Sequence, residues 1–251
     1  MRKIKKTELN DFINTNIQSF HDRRIENLKK LELKSILARK NPYLYKAKNI
    51  LTSEELIRYL LDAHLSSQEE GIFGDFLEEL AIFVCSKVFN GRKSTAEGID
   101  LEFSKENIEY IVSIKSGPNW GNSQQIKRMR ENFKKAKKIK VPFKRSINIV
   151  AVNGCCYGID DSPNKGDYLK LCGQRFWEFI TGDSEFYQRI IEPLGYKAKE
   201  KNDYYNKHYS NVINLFVLEF SEEYCKKDGS VDWEKIVKHN SGLKKNLQLH
   251  Y

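Results

Sequence analysis

The spacing of apolar residues changes near residue 98, and the change separates a helical first part of the chain from a part that contains strands. Residues 8–40 are rich in Leu, Ile, Lys and Glu and contain neither Gly nor Pro, which predicts helix until Asn41-Pro42 interrupts it. Residues 71–89 are mostly apolar, so the helix predicted there is expected to be central in the fold.

A further helix is predicted between these two, and it shapes the expected domain organisation. Thr52 is followed three residues later by Glu55, which is the spacing of a capping box, and the helix beginning there is expected to run to about His64. We therefore predict a helical N-terminal region over residues 1–65. A core with C-terminal helices is predicted over residues 66–251, and the two parts are expected to form one compact domain.

Two strands joined as a hairpin are predicted after the helical part. Residues 98–103 alternate apolar and acidic side chains, and residues 109–115 are strongly β-forming. The polar residues 104–108 between them predict the turn. Residues 146–152 predict a third strand.

Helices are expected before and after that third strand along the chain. The turn-rich loop at residues 117–122 precedes a helix that Asn122 or Ser123 can cap. Further helices are predicted at about residues 168–180, 184–200, 204–226 and 232–239. This order predicts an α/β fold in which a central mixed β-sheet is flanked by helices, with helical N- and C-terminal additions.

The net charge of +9 is concentrated in two segments. Residues 1–50 carry +8 and residues 121–145 carry +9, which indicates either a polyanionic partner or two well-solvated helix faces. No apolar run approaches the roughly 20 residues that cross a bilayer, and no apolar stretch follows the basic start. We therefore expect a cytoplasmic protein without a membrane segment.

The candidate chemistry lies on the predicted hairpin. Alternation along the first strand puts Asp100 and Glu102 on one face, and Ile99, Leu101 and Phe103 on the other. On the second strand Ser113 and Lys115 share a face. Paired as a hairpin, the strands can place Asp100 beside Lys115.

Carboxylates beside a lysine suit the hydrolysis of phosphodiesters. Carboxylate oxygens hold a hard cation such as Mg²⁺, which keeps several waters and also takes a phosphate oxygen. A nearby lysine orients the attacking water and adds positive charge to the transition state. An ordinary cross-strand ion pair uses the same residue types, so this pattern alone leaves both interpretations open.

The spacing from Asp100 to Ser113-Ile114-Lys115 resembles that of the PD-(D/E)XK nuclease superfamily. Longer stretches resemble one group of type II restriction endonucleases, and the resemblance runs from about residue 71 to residue 242. These stretches are residues 96–103, 113–123 and 172–180. The fold then expected is a restriction-endonuclease-like core.

The resemblance implies a reaction and a set of partners. Asp100 and the backbone carbonyl of Ile114 would hold Mg²⁺, with Mn²⁺ as a possible substitute, and Lys115 would position the attacking water. Cleavage of double-stranded DNA would leave 5′-phosphate ends. Palindromic sites favour a two-fold homodimer, and such an enzyme works alongside a cognate DNA methyltransferase.

One position departs from the superfamily pattern, because Ser113 stands where Glu or Asp is usual. A hydroxyl is a poor substitute for a carboxylate ligand, so another acid is expected to serve. Glu78, Glu102 and Glu131 are the candidates, and Glu78 is favoured because it shares a helix sector with small residues that permit close approach to the sheet. Glu131 is expected opposite the apolar stripe of its helix, among lysines and arginines.

The loop and the basic helix after Lys115 are the expected DNA contacts. Residues predicted to neutralise phosphates are Lys127, Arg128, Lys134 and Lys135. Residues predicted near the bases are Asn119, Trp120, Asn122, Ser123, Gln124 and Gln125, with Gln174 and Arg175 farther along the chain. Trp120 has an equally good role in loop packing.

Two other functions fit the same residues. One is a repair or recombination nuclease of the same superfamily without sequence specificity. The other is a DNA-binding module that has lost catalysis, for which Ser113 is the best argument.

Overall fold

A five-stranded mixed sheet lies at the centre of the computed structural model, which describes residues 2–140 and 148–243. The strands are β1 (Arg92–Lys93), β2 (Leu101–Lys105), β3 (Ile108–Lys115), β4 (Asn148–Cys155) and β5 (Leu169–Cys172), and they lie in that order. β1, β2 and β3 pair antiparallel, whereas β3, β4 and β5 pair parallel. The predicted α/β fold with a central mixed sheet flanked by helices is confirmed.

Helices account for most of the remaining chain. They are α1 (Lys6–Lys29), α2 (Leu33–Leu37), α3 (Pro42–Ala47), α4 (Ser53–Phe89), α5 (Ser123–Lys140), α6 (Gln174–Thr181), α7 (Phe186–Arg189), α8 (Ile191–Leu194), α9 (Ala198–Tyr224) and α10 (Trp233–Ser241). Among the described residues, no helix combines the length and the apolar character that a membrane crossing needs.

α4 is one helix where two were predicted. Thr52 caps its start as expected, because the Thr52 hydroxyl accepts a hydrogen bond of 3.2 Å from the N–H of Glu55. The helix then continues through residues 65–70, where no Gly or Pro interrupts it. It ends where Asn90 adopts a left-handed backbone with φ of 53°.

The predicted hairpin of β2 and β3 is confirmed, but β2 begins later than expected. Glu106 and Asn107 form the turn with φ of 54° and 60°, the conformation that a two-residue hairpin loop favours. Because β2 begins at Leu101, the alternation does not reach back to Ile99. Ile99 packs in the cluster of Met129, whereas Leu101 faces the larger core, so the prediction that both share a face was wrong.

The chain after β4 also differs from the prediction. The single helix expected over 168–180 is β5 followed by α6, and Gly173 with φ of 53° separates them. The helix expected over 184–200 is α7, α8 and the start of α9. The expected strand 146–152 corresponds to β4, and its residues 146 and 147 lie outside the described part of the chain.

Helices cover both faces of the sheet. On one face, side chains of α1, α4 and α6 form the larger core with Leu101, Val112 and Ile114. On the other face, α5 packs Met129 and Phe133 over the sheet. The sheet is therefore buried on both sides, as parallel strands require.

The chain divides into two compact units. The first unit contains the chain up to Phe20 together with Gly71–Ala198, and it holds the whole sheet. The second unit contains His21–Glu70 and the described residues from Lys199 onward. Its own core is built from helices, with Ile57, Leu61 and Phe220 among its most buried side chains.

Candidate active site

Asp100 and Lys115 lie side by side at the end of the hairpin. The N–H of Asp100 donates to the carbonyl of Val112 over 2.8 Å, which continues the pairing of β2 and β3 by one residue. The Asp100 carboxylate accepts a 2.6 Å hydrogen bond from the N–H of Ile114, and its Oδ2 lies 3.9 Å from Nζ of Lys115. The backbone bond fixes the carboxylate at the mouth of the sheet, beside the lysine.

Glu78 approaches this pair from α4. An added Cβ on Gly74, one turn earlier, would contact the hydroxyl of Ser116, so α4 passes close to the end of β3. Burial raises the pKa of Glu78, and the negative charge of Asp100 raises it further, while Lys93 and Lys115 act in the opposite direction. Oε1 of Glu78 also lies 3.5 Å from Nζ of Lys93 on the edge strand β1.

Neither of the other two candidate acids joins this group. Glu102 is buried in a separate ion cluster, where it accepts hydrogen bonds from Ser94 (2.6 Å) and Lys140 (2.7 Å). Glu131 is exposed to solvent on α5. Of the three acids weighed as replacements for a carboxylate at Ser113, only Glu78 interacts with Asp100 and Lys115.

Ser113 itself is buried, with 2% of its surface exposed. It lies on β3 opposite Asn153 of β4, and the side-chain amide of Asn153 donates a 3.2 Å hydrogen bond to the Ser113 carbonyl. The chain thus holds a buried hydroxyl at the place where the superfamily has a carboxylate. The carboxylates that interact with Lys115 at this end of the sheet are those of Asp100 and Glu78.

The donor set is compatible with a magnesium ion. Among residues 2–140 and 148–243, no group of three or more His, Cys, Asp or Glu side chains is arranged so that it could hold a metal ion by itself. Mg²⁺ in phosphoryl-transfer sites is commonly bound by one or two carboxylates together with waters and substrate phosphate, so two acids are sufficient. Asp100 and Glu78 supply them, and a cation held by both would offset the burial and the charge of Asp100 that raise the pKa of Glu78.

The loop after β3 is held against β4 and β5. Nε1 of Trp120 donates a 3.1 Å hydrogen bond to Oδ1 of Asn153, and Nζ of Lys170 donates a 3.0 Å bond to the carbonyl of Pro118. The loop-packing interpretation of Trp120 therefore describes it well. Asn119, between these anchors, is exposed. Sequence reasoning did not identify Asn153, although a buried amide inside an apolar strand is a signal because it must find partners.

The start of α5 is a capping box. Oδ1 of Asn122 accepts hydrogen bonds of 3.0 Å from the N–H groups of Gln124 and Gln125, and the Gln125 side chain accepts a 2.9 Å bond from the N–H of Asn122. Asn122 is thus the cap, as one of the two predicted possibilities had it. The side chains of Ser123 and Gln124 are exposed beside it.

The four basic residues of α5 that were predicted to contact phosphates are all exposed, and two of them act on Glu97. Arg128 pairs with Glu97 at 3.1 Å, and the charge of Lys135 also acts on Glu97. Lys127 and Lys134 are exposed. The helix therefore presents lysines to solvent, although one predicted phosphate contact, Arg128, is partly neutralised within the protein.

Gln174 and Arg175 lie at the start of α6, and both are exposed. The guanidinium of Arg175 donates a 3.0 Å hydrogen bond to the carbonyl of Asp160. The Asp160 carboxylate is in turn paired with Lys165 at 2.9 Å and Lys170 at 3.3 Å. These contacts give Arg175 a structural role in the loop before β5 that the sequence did not predict.

A family model described as Type II restriction endonuclease EcoO109I matches residues 7–202, which is well over half of the chain. The chain belongs to this family. No curated protein matches the chain.

The match to the type II restriction endonuclease family includes every residue of the candidate site, from Glu78 on α4 to Arg175 on α6. Type II restriction endonucleases are site-specific nucleases that act on DNA, so the match identifies the enzyme class and the substrate class. The family match agrees with the resemblance found in the sequence around Asp100 and Lys115. The fold brings these two residues together.

Proposed function

We propose that this type II restriction endonuclease hydrolyses phosphodiester bonds of double-stranded DNA with Mg²⁺, leaving 5′-phosphate ends. The observation that carries the proposal is the contact of Asp100 with Lys115, with Glu78 within electrostatic range of both. Two acids and an ammonium at the open end of a hairpin are the groups that metal-assisted phosphoryl transfer uses.

Each residue has a stated role in this proposal. Asp100 and Glu78 would hold the metal, together with the carbonyl of Ile114, which points to the same side of β3 as the Ile114 N–H that binds Asp100. Bound there, Mg²⁺ or Mn²⁺ would supply a lowered pKa for a coordinated water and stabilise charge on the phosphoryl group. Lys115 would donate a hydrogen bond to the attacking water and hold it in line with the phosphorus.

The position of Ser113 does not require a loss of catalysis. Glu78 can take over the missing carboxylate because α4 passes close to the strand end at Gly74. A module that only binds DNA would have no use for two partly buried carboxylates that repel each other, since burying charge costs free energy. This favours the enzyme over the inactive binding module.

The DNA-facing part of the proposal concerns the loop after β3 and α5. Exposed lysines of α5 would neutralise phosphates, and the exposed Asn119 and Gln124 would reach base edges. Because restriction sites are commonly palindromic, we propose a two-fold homodimer with one active site for each strand, and a cognate methyltransferase that protects the host DNA.

The test is digestion of unmethylated phage DNA with and without Mg²⁺. We expect discrete fragments with 5′-phosphate ends that require Mg²⁺, and a loss of about 100-fold or more in rate for Lys115→Ala and for Asp100→Asn. Lys6→Ala and Glu192→Gln are matched controls, because they remove an exposed lysine and its exposed acid partner from the same unit. Both controls should cleave like the wild type.

Three other outcomes of these experiments would contradict parts of the proposal. A smear or structure-dependent nicking would indicate a repair or recombination nuclease. Salt-sensitive DNA binding without cleavage in any divalent ion would indicate an inactive binding module. Sedimentation of the same preparation at the mass of one 29.5 kDa chain, while cleavage remains specific, would contradict the homodimer.

A further inference from the structure

Asn153 is a buried amide next to the candidate site to which the proposed reaction gives no role. It has 1% of its surface exposed and lies in β4 opposite Ser113. Its Nδ2 donates to the Ser113 carbonyl over 3.2 Å, and its Oδ1 accepts from the indole N–H of Trp120 over 3.1 Å. A single side chain therefore joins the strand that carries Lys115 to the loop that follows it.

Trp120 extends this chain of contacts to Lys115. Nζ of Lys115 lies 5.4 Å from the centroid of the Trp120 ring, within the range of a cation–π interaction. The ion pair of the ammonium with Asp100 is 3.9 Å long, which is longer than a hydrogen bond. A lysine side chain has four rotatable bonds, so a single long ion pair does not fix where its ammonium lies.

We propose that Asn153 and Trp120 are positioning residues that hold the ammonium of Lys115 at the reaction centre. This inference rests on the proposed function, because it assumes that Lys115 acts in catalysis. The indole ring limits the region that the ammonium can occupy, and Asn153 fixes the indole by its N–H. Neither residue needs to contact the substrate.

The alternative is that Asn153 and Trp120 only pack the loop. The other hydrogen bonds that hold the loop distinguish this packing role from the positioning role. The loop is held independently by the bond from Lys170 to Pro118 and by a 3.0 Å bond from the N–H of Tyr157 to the carbonyl of Ser116. Loss of the indole bond should therefore leave the loop in place. If Asn153 and Trp120 position Lys115, loss of the same bond still widens the region that the Lys115 ammonium can occupy.

The first test is a double-mutant cycle on the rate of single-turnover cleavage at saturating enzyme. Trp120→Phe keeps a ring and loses the N–H, so we expect a loss of about 10-fold, and Trp120→Leu about 100-fold, the size of effect that a misplaced catalytic group produces. DNA affinity in Ca²⁺ should be unchanged. In the Lys115→Ala background neither change should lower the residual rate further.

The matched control uses another tryptophan with a lysine over its ring. Nζ of Lys46 lies 5.6 Å from the ring of Trp233 in the second unit, so Trp233→Phe removes a comparable contact away from the site. It should leave the cleavage rate unchanged. Losses at Trp120 that persist in full when Lys115 is already alanine would show a general structural role and overturn the proposal.

The second test does not need activity, so failure of the proposed function and failure of this inference are distinguishable. The chain has three tryptophans, which give three indole N–H resonances in a ¹H–¹⁵N spectrum. Asn153→Ala and Lys115→Ala should each shift the Trp120 resonance while those of Trp177 and Trp233 stay in place. If Asn153→Ala does not fold, Lys115→Ala alone decides: an unmoved Trp120 resonance would contradict the contact on which the inference depends.

Discussion

At the scale of single residues, the candidate site pairs each acidic side chain with a lysine. Two acids, Glu78 and Asp100, are each close to a lysine, Lys93 at 3.5 Å and Lys115 at 3.9 Å. Burial and the charge of Asp100 nevertheless raise the pKa of Glu78. A divalent cation held by both acids would stabilise their ionised forms and leave the lysines for water and phosphate.

The Glu78→Gln variant tests which acid completes the metal site. Mg²⁺ should raise the melting temperature of the wild type by mass action and raise that of Glu78→Gln far less. Because the fold raises the pKa of Glu78, the ionised carboxylate is less stable in the folded chain than in the unfolded chain. The metal-free variant should therefore melt at the same temperature as the wild type or higher. Differential scanning calorimetry with a Mg²⁺ titration measures both effects.

Glu131→Gln is the matched control, since it makes the same change on an exposed helix face. It should respond to Mg²⁺ like the wild type. If the metal response disappears in Glu131→Gln and survives in Glu78→Gln, the assignment of the helix acid is wrong.

Residue patterns predicted part of this site and missed another part for physical reasons. Glu78 could be identified because a helix repeats its faces regularly, and Gly74 one turn away marks the close approach. Lys93 could not, because β1 is only two residues long and carries no periodic signal. Asn153 reaches the site across a β3–β4 pairing that no local pattern in the sequence encodes.

At the scale of elements, a buried ion cluster joins the end of α5 to the sheet. Lys140 donates hydrogen bonds to Glu102 and Glu109, and the three side chains are 16%, 10% and 5% exposed. Burial alone would raise the pKa of Glu102, but the bonds from Lys140 and Ser94 outweigh it and lower the pKa. The basic helix is therefore anchored where it meets the edge of β2 and β3.

Lys140→Met tests this anchor. Removing the lysine takes away the most buried cation that Glu102 and Glu109 share, so we expect a loss of about 3 kcal/mol in the free energy of unfolding at pH 7. A carboxyl with a lowered pKa stabilises the fold above its ordinary pKa of about 4.3, and this stability is lost as the pH falls through the lowered value. The deficit of the variant should therefore narrow at acid pH. Chemical denaturation of the variant and the wild type at pH 7 and below pH 4 measures this difference in the free energy of unfolding at each pH.

Arg92→Met is the control for Lys140→Met, because Arg92 pairs with the same Glu102 at 3.4 Å but is 75% exposed. An exposed pair contributes at most about 1 kcal/mol, so this variant should be close to the wild type. Equal losses in the two variants would mean that Lys140 does not act as a buried anchor.

Sequence patterns predicted the longer helices and strands of this fold and failed for the shortest ones. The β2–β3 hairpin was predicted because its strands alternate and its turn is polar, and the long α4 was predicted in two pieces that the structure joins. The sequence predicts helix at β5 because its four residues are too few to establish a period of two, and its pairing with β4 decides its conformation. Tertiary context thus overrode local preference in the shortest elements.

At the scale of the whole molecule, the surplus positive charge is unevenly distributed. The net charge is +9, and the segment of residues 121–145 carries as much by itself. Its described part is α5, where Arg128 and Arg130 are paired with acids while Lys127 and Lys134 are exposed. Those two lysines lie seven residues apart, hence on one face of the helix, and can contact successive phosphates.

The salt dependence of DNA binding tests whether α5 is that contact surface. In Ca²⁺, where the DNA stays intact, the double variant Lys127→Ala with Lys134→Ala should flatten the slope of log K against log salt by about 0.9 for each lost phosphate contact, or about 2 in total. The loss of affinity should be similar for DNA with and without the recognition site, because phosphates carry no sequence information. The double variant Lys226→Ala with Lys227→Ala removes the same charge from exposed positions of the second unit and should leave the slope unchanged. If α5 and control variants have the same slope as the wild type, the phosphates are neutralised elsewhere, and the basic residues within 1–50 become the next to replace.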